Sequence, residues 1–326
     1  MIDLALDRVP EPDVESGRKL SERAGAVLRP RGALARLDDV AVWVAEWQRT
    51  ERPSIQRPAA IVFFADHGVA EEGVSAYPAE VTRAMLGAVE AGVATVSAMT
   101  SNLGVALWSV DVGVGRPTGN LRLEPALDRD RFASCLEAGR EAVRALDTDL
   151  LVLGEMGIGN TTPAAALCAS LLGGAVSDWV GKGSGLDEAG VAKKQTVISD
   201  ALERTGPLAP LEAMRELGGA ELAALAGAAV EARHRSIPVL LDGFVTTAAL
   251  IPLELERPGA LDHCWPGHLS PEPGHRLLLE RLGRPPILDL EMRLGEASGA
   301  LAALPVVSLA VDSVTRVATF DEWAIK

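Results

Sequence analysis

The chain has 326 residues, 48% of them hydrophobic and 23% charged, enough apolar material for one large α/β domain or two domains. Its formal net charge is −14 with no long basic run, which argues against nucleic acid, whose phosphates demand clustered Lys and Arg. A small anionic ligand remains compatible, because helix N-termini bind phosphate without any net positive charge.

Taken in order, residues 18–28 and 34–47 read as helices around the break Arg29-Pro30-Arg31-Gly32, with Leu34, Leu37, Val40, Ala41 and Val44 at helical spacing. The apolar run from Ala59 to Ala65 ends in Asp66-His67-Gly68, the pattern of a buried strand opening into a turn. After Tyr77-Pro78 a single helix over 79–99 and a strand over 105–112 are expected, followed by a helix over 131–146 and a strand over 150–153. The turn Gly154-Glu155-Met156-Gly157-Ile158-Gly159-Asn160 then leads into an alanine-rich helix, 161–172. Helices over 193–205 and 220–235 precede a strand over 238–241, which ends in Asp242-Gly243-Phe244 before a helix over 246–255. The segment 268–275 reads as a polar loop walling a cleft, and 300–317 as a long apolar helix kinked at Pro305.

Strands alternating with helices imply βαβ crossovers and a parallel sheet with helices on both faces, an α/β, Rossmann-like fold. The expected organisation is a large domain over 50–290 and a small helical lobe made from 1–49 with 291–326. Ligands on such sheets bind outside the strand carboxyl ends, where Asp66-His67-Gly68, the turn 154–162 and Asp242-Gly243 all fall. Cys135, Cys168 and Cys264 form no CxxC pair and read as free thiols of a reducing compartment. Residues 1–12 lack a signal pattern, and the apolar runs Leu150–Leu153 and Val239–Leu241 fall far short of the roughly 20 residues of a membrane span. A cytoplasmic protein with no membrane partner is expected.

The glycine-rich turn carries the best local signal. Gly154, Gly157 and Gly159 permit tight backbone geometry, and Asn160, Thr161 and Thr162 start a helix whose N–H groups and hydroxyls suit a phosphate. An ordinary capped strand-to-helix turn explains the same residues equally well. A second cluster, Gly181-Lys182-Gly183-Ser184-Gly185, precedes Lys193 and Lys194 and reads either as an anion site or, more simply, as a surface loop. Five histidines, none in HxxxH or HxH spacing, give no metal-ligand pattern. Glu296, in Arg293-Leu294-Gly295-Glu296-Ala297, is either a partly buried base or a solvated turn acid.

Several ordered segments resemble one family. They are Phe64-Ala65-Asp66-His67-Gly68-Val69, Gly73-Val74-Ser75-Ala76-Tyr77-Pro78, Asp111-Val112-Gly113-Val114, Gly154 through Ala166, Leu240-Leu241-Asp242-Gly243-Phe244, Pro266-Gly267-His268-Leu269-Ser270, Pro273-Gly274-His275-Arg276 and Arg293-Leu294-Gly295-Glu296. The resemblance, from about Leu28 to Phe320, is to the nicotinate-nucleotide–dimethylbenzimidazole phosphoribosyltransferases, which make the lower-ligand nucleotide of cobalamin. It implies transfer of phosphoribose from nicotinate mononucleotide to an aromatic base, with a homodimer and no cofactor or metal. Glu296 matches the family's catalytic glutamate and Glu155 a second active-site acid. Gly157, Gly159, Asn160 and Thr161 match the phosphate-cradling turn, Lys194 a basic position facing the nucleotide, and Asp242 with Gly243 a turn near the cleft. Val74, Tyr77, Met85 and Leu294 are expected to line the pocket for the base. Three positions depart from the family pattern: Ala297 replaces a frequent glycine, Lys182-Gly183-Ser184-Gly185 replaces Arg-Gly-Thr-Gly, and Arg29-Pro30-Arg31-Gly32-Ala33-Leu34 replaces Lys-Pro-Pro-Gly-Ser-Leu. A glycohydrolase passing the ribosyl group to water, or a non-catalytic nucleotide-binding regulator, are the competing readings of the same pocket.

Overall fold

The computed structural model describes residues 4–323. The outermost residues of the two terminal segments read above, 1–3 and 324–326, lie outside the described residues. Five parallel strands form one sheet: β1 (Pro58–Ala65), β2 (Ala106–Gly113), β3 (Leu150–Met156), β4 (Val239–Leu241) and β5 (Cys264–Pro266), in the spatial order β2-β1-β3-β4-β5. Two helices, α1 (Val14–Ala24) and α2 (Arg36–Gln48), precede β1. Between β1 and β2 lie α3 (Val81–Glu90) and α4 (Thr95–Leu103), and between β2 and β3 lies α5 (Arg129–Arg144). The long connection to β4 holds α6 (Thr161–Leu172), α7 (Val176–Trp179), α8 (Glu188–Thr205), α9 (Pro210–Leu217) and α10 (Ala220–His234). Helix α11 (Phe244–Glu256) leads to β5, and α12 (Pro273–Leu282) and α13 (Ser298–Thr315) complete the chain.

The central strands explain the layering. Ala59 through Ala65 are all buried, as a strand covered on both faces requires. Ala60, Val62 and Phe64 join Val152 and Leu240 in a core with α1, α2, α3, α4 and α13. Ile61, Phe63, Leu153 and Leu241 face the opposite way into a larger core with α5, α6 and α8 to α11. Strand β2 is an edge and its side chains are mostly exposed or half-buried. Helix α13 is long and apolar enough to pass for a membrane span by composition, but just over half of it is packed inside the protein.

The alternation of strands and helices follows the sequence reading, with four local differences. The single helix expected over 79–99 is two helices, because the chain turns through Gly92 at φ +74° between α3 and α4. Strand β3 runs on to Met156, so Glu155 stands on the strand end rather than in the turn. The polar segment 268–275 is a loop only up to Glu272, where Pro273 opens α12 from the first helical position that proline favours. Strand β5 and the short helices α7 and α9 carry too little periodicity to be read from sequence.

One close approach ties the two ends of the chain's chemistry together. A Cβ built on Gly154 would lie 2.2 Å from the Ala297 backbone nitrogen, so only glycine lets the segment before α13 lie against β3. Gly154→Ala is expected to push that segment away at a cost of about 1–3 kcal/mol, the usual range for overpacking. The melting temperature of the variant should fall by several degrees; a wild-type Tm would refute the contact's importance.

Candidate active site

The loops after four strands converge on one cleft of about 580 Å³ at the carboxyl edge of the sheet. The segment after β1 supplies Ser75 and Tyr77, and α3 supplies Val81 and Met85. Strand β3 and its turn supply Glu155 through Thr161, the end of β4 supplies Gly243, Phe244 and Val245, and the loop after β5 supplies His268 and Ser270. The last wall is Arg293-Leu294-Gly295-Glu296.

The two acids meet through the backbone. The Glu296 amide donates to the Glu155 carbonyl at 3.1 Å. Gly295, Glu296 and Ala297 all adopt left-handed backbone, at φ 81°, 57° and 64°. Two of the three are not glycine, and that conformation costs an L-residue roughly 1–2 kcal/mol. The positive φ of Ala297 is one that glycine would adopt without strain. Glu296 is 2% exposed, and its Oε2 lacks any hydrogen-bond partner. Burial, and then the charge of Asp242, push its carboxyl above the ordinary range. Glu155 is raised to about 8 by burial first, with the charges of Glu221, Asp242 and Glu296 adding to it and a hydrogen bond from Asn160 Nδ2 opposing it.

The glycine turn is built as a partly occupied cradle. Gly159 sits at φ +90°, in the region glycine adopts freely. Asn160 N donates to the Gly157 carbonyl at 3.1 Å and Thr162 N to the Gly159 carbonyl at 3.0 Å, so these two amides are engaged within the turn. The Asn160 side chain turns to Glu155 instead of capping α6. Lys194 is 1% exposed; its Nζ donates to Thr161 Oγ1 at 2.9 Å and to the Gly181 carbonyl at 3.4 Å. Burial lowers its ammonium to about 8, against the pull of Glu272.

The structure brings Glu155, Glu296, Gly157, Gly159, Asn160, Thr161, Gly243, Tyr77, Met85 and Leu294 to the cleft surface. It sets three expected residues back from it. Val74 is buried beneath Gly159, and Lys194 lies behind Thr161 and Gly183, with its Nζ donating to the Thr161 hydroxyl. Asp242 is enclosed behind the wall, where its Oδ1 accepts from the Gly299 amide at 2.7 Å and the Ala300 amide at 3.2 Å. The sequence reading missed Glu221, which stood as one acid in a helix. It pairs with His67 Nε2 at 2.6 Å, both side chains buried, directly under Gly157. His67 itself fits the structural, hydrogen-bonding role that a lone strand-end histidine usually has. Among the described residues, no group of three or more His, Cys, Asp or Glu is placed to hold a metal ion.

Fold and site together define an α/β enzyme with two buried carboxylates facing a nucleotide-sized cleft at the carboxyl ends of a parallel sheet. The comparisons with known proteins agree. A family model described as phosphoribosyltransferase matches residues 9–325. The chain is 44% identical to the nicotinate-nucleotide–dimethylbenzimidazole phosphoribosyltransferase of Cereibacter sphaeroides, over 98% of this chain and 95% of that protein. It is 45% identical to the enzyme of the same name from Methylorubrum extorquens, over 97% and 93%. The crystal structure of CobT from Thermus thermophilus superposes with a TM-score of 0.92 at 40% identity, covering 96% of this chain and 99% of that one. The chain belongs to the nicotinate-nucleotide–dimethylbenzimidazole phosphoribosyltransferase family.

Glu155 gives a stability test with a defined sign. Its folded value, raised to about 8 from 4.5, means the folded protein holds a proton that the unfolded chain releases. Stability from this group is therefore lost as pH rises between those two values. Glu155→Gln should raise Tm by several degrees near pH 8 and change it little near pH 4. An equal Tm change at both pH values would contradict the buried, protonated carboxyl.

Proposed function

We propose that this protein transfers the phosphoribosyl group of nicotinate mononucleotide to 5,6-dimethylbenzimidazole or a related base, releasing nicotinate and α-ribazole 5'-phosphate for the nucleotide loop of cobalamin. The observation that carries the reading is the pair of buried carboxylates, Glu155 and Glu296, facing one cleft in a chain of this family.

The chemistry needs little beyond that pair. The anomeric carbon of the substrate is bonded to a cationic pyridinium nitrogen, so the bond breaks with its electrons returning to nitrogen, and nicotinate leaves without a general acid. The sugar becomes oxocarbenium-like, and a ring nitrogen of the incoming base bonds C1' from the opposite face, inverting β to α. The attacking imidazole ring becomes neutral once its second nitrogen loses a proton, and Glu296, with a free buried carboxylate oxygen, accepts it. Glu155, raised to about 8 by burial, releases its proton to solvent when the cationic pyridinium nucleotide binds, and its carboxylate stabilises the positive charge that develops on the ribosyl ring as nicotinate leaves. Gly157, Gly159 and the Thr161 hydroxyl, backed by Lys194, hold the phosphate at the start of α6. Tyr77, Met85 and Leu294 form the apolar rim for the base, with Val74 supporting it from beneath.

The protein works as a cytoplasmic homodimer on this reading. Three free, buried cysteines fit a reducing compartment, and Trp108 on the edge strand and Leu309 on α13 are large apolar side chains left exposed on this protomer.

Purified protein given nicotinate mononucleotide, with and without 5,6-dimethylbenzimidazole, decides the matter by chromatography of nicotinate and ribotide. Nicotinate and α-ribazole phosphate appearing only with the base support the transferase. Nicotinate released without the base indicates a glycohydrolase, and binding without turnover a regulator. Glu296→Gln should lower turnover by about 10²–10⁴-fold, the usual worth of a general base; full rate at saturating substrates would remove Glu296 from that role.

A further inference from the structure

Glu296 has no rigid element of its own. It sits in the left-handed run 295–297, and no side chain from that run caps α13. The first turn of α13 is held from across the sheet: at the end of β4, Asp242 Oδ1 takes the Gly299 and Ala300 amides at 2.7 and 3.2 Å. Asp242 is fully buried and its Oδ2 has no partner, an expensive arrangement for a residue whose only task is to cap a helix. A surface Ser or Thr ahead of the helix would cap it at far lower desolvation cost.

Resting on the reading of Glu296 as proton acceptor, we propose that Asp242 is a positioning residue of the active site, anchoring the first turn of α13 to the end of β4 and so aiming the Glu296 carboxylate into the cleft. Two anchors then bracket Glu296, the Glu155 carbonyl on its own amide and Asp242 three residues further on. Each comes from the end of a different central strand.

The charges around the pair give this role a readout that plain helix capping lacks. Glu296 is faced by Glu155 from β3 and by Asp242 from β4, with Arg293 in its own loop. Asp242 in turn is faced by His268 from the loop after β5, whose Nε2 lies 3.7 Å from Oδ1. His275 on α12 packs against His268, and burial lowers it to about 3, so it stays neutral near pH 7. Burial raises Asp242, while His268 and the amides of α13's first turn stabilise its charged form. Where Asp242 is ionised, its charge makes Glu296 a stronger base. Removing that charge moves the Glu296 titration to lower pH.

The test uses the full chain, with kcat and KM for nicotinate mononucleotide measured at saturating 5,6-dimethylbenzimidazole from about pH 5 to pH 9. Asp242→Ala removes the anchor and should lower kcat by roughly tenfold or more, with KM within about twofold, as expected for a misaimed catalytic group. Asp242→Asn keeps an oxygen for the two amides. It should recover most of that loss, with the acidic limb of kcat displaced to lower pH. Wild-type kcat in Asp242→Ala overturns the proposal. So does an acidic limb in Asp242→Asn that coincides with the wild-type one, a comparison that stands even if Asp242→Ala does not fold. Glu296→Gln separates the two readings. If it retains the acidic limb, the assignment of Glu296 as base has failed. If it abolishes the limb while Asp242→Asn leaves it unmoved, only the positioning role has failed.

Discussion

The site depends on one seam, where the segment before α13 lies against the end of β3. The Glu296 amide bonds the Glu155 carbonyl there, and Gly154 leaves the space that the Ala297 backbone fills. Without that approach the two carboxylates belong to elements separated by well over a hundred residues of chain. With it, a late loop becomes the last wall of a cleft otherwise built at the carboxyl ends of the strands. The backbone strain at Glu296 and Ala297 is held by packing on both sides, since Ala297 is fully buried against the sheet.

Electrostatics at the carboxyl edge follow from the same geometry. Glu155, Glu221, Asp242 and Glu296 are all buried near one another, with His67 bonded to Glu221 and His268 beside Asp242. Clustering acids in a low-dielectric site destabilises the empty protein, and the clearest expression is Glu155, raised to about 8. On the proposed function, a cationic pyridinium substrate offsets that cost on binding, and so does the oxocarbenium-like sugar as it forms. On the same reading, the cleft is complementary to positive charge developing on the ribosyl ring, and the turn before α6 with Lys194 serves the opposite charge on the phosphate.

The buried lysine fits the same logic. Lys194 is held by Thr161 and the Gly181 carbonyl, and burial brings its ammonium down to about 8. On the proposed function, a phosphate seated at Thr161 would favour the charged lysine, so substrate binding and lysine protonation would support each other. The neighbouring loop is fastened by Glu272, whose Oε1 accepts from the Gly183 amide at 2.8 Å.

The sequence by itself determined the class of fold and most of the cleft. Short apolar runs separated by helical patterns can bury both faces only as central parallel strands, and such sheets carry ligands at their carboxyl ends. Glycines at 157 and 159 announced a tight turn for the same local reason, whereas Gly154 belongs to β3 and leaves room for Ala297. Ordered motifs along nearly the whole chain named the family. What the sequence could not show is what lies behind the surface. Asp242 looked like a cleft residue because it follows a strand, yet the cap it provides is made with amides nearly sixty positions away. Glu221 was one acid in an alanine-rich helix until the fold set it against His67. Strand β5 is three residues long and exists only because β4 offers it an edge. Local patterns record which face of an element is buried. Which buried polar group meets which other is decided only when strands far apart in sequence lie side by side.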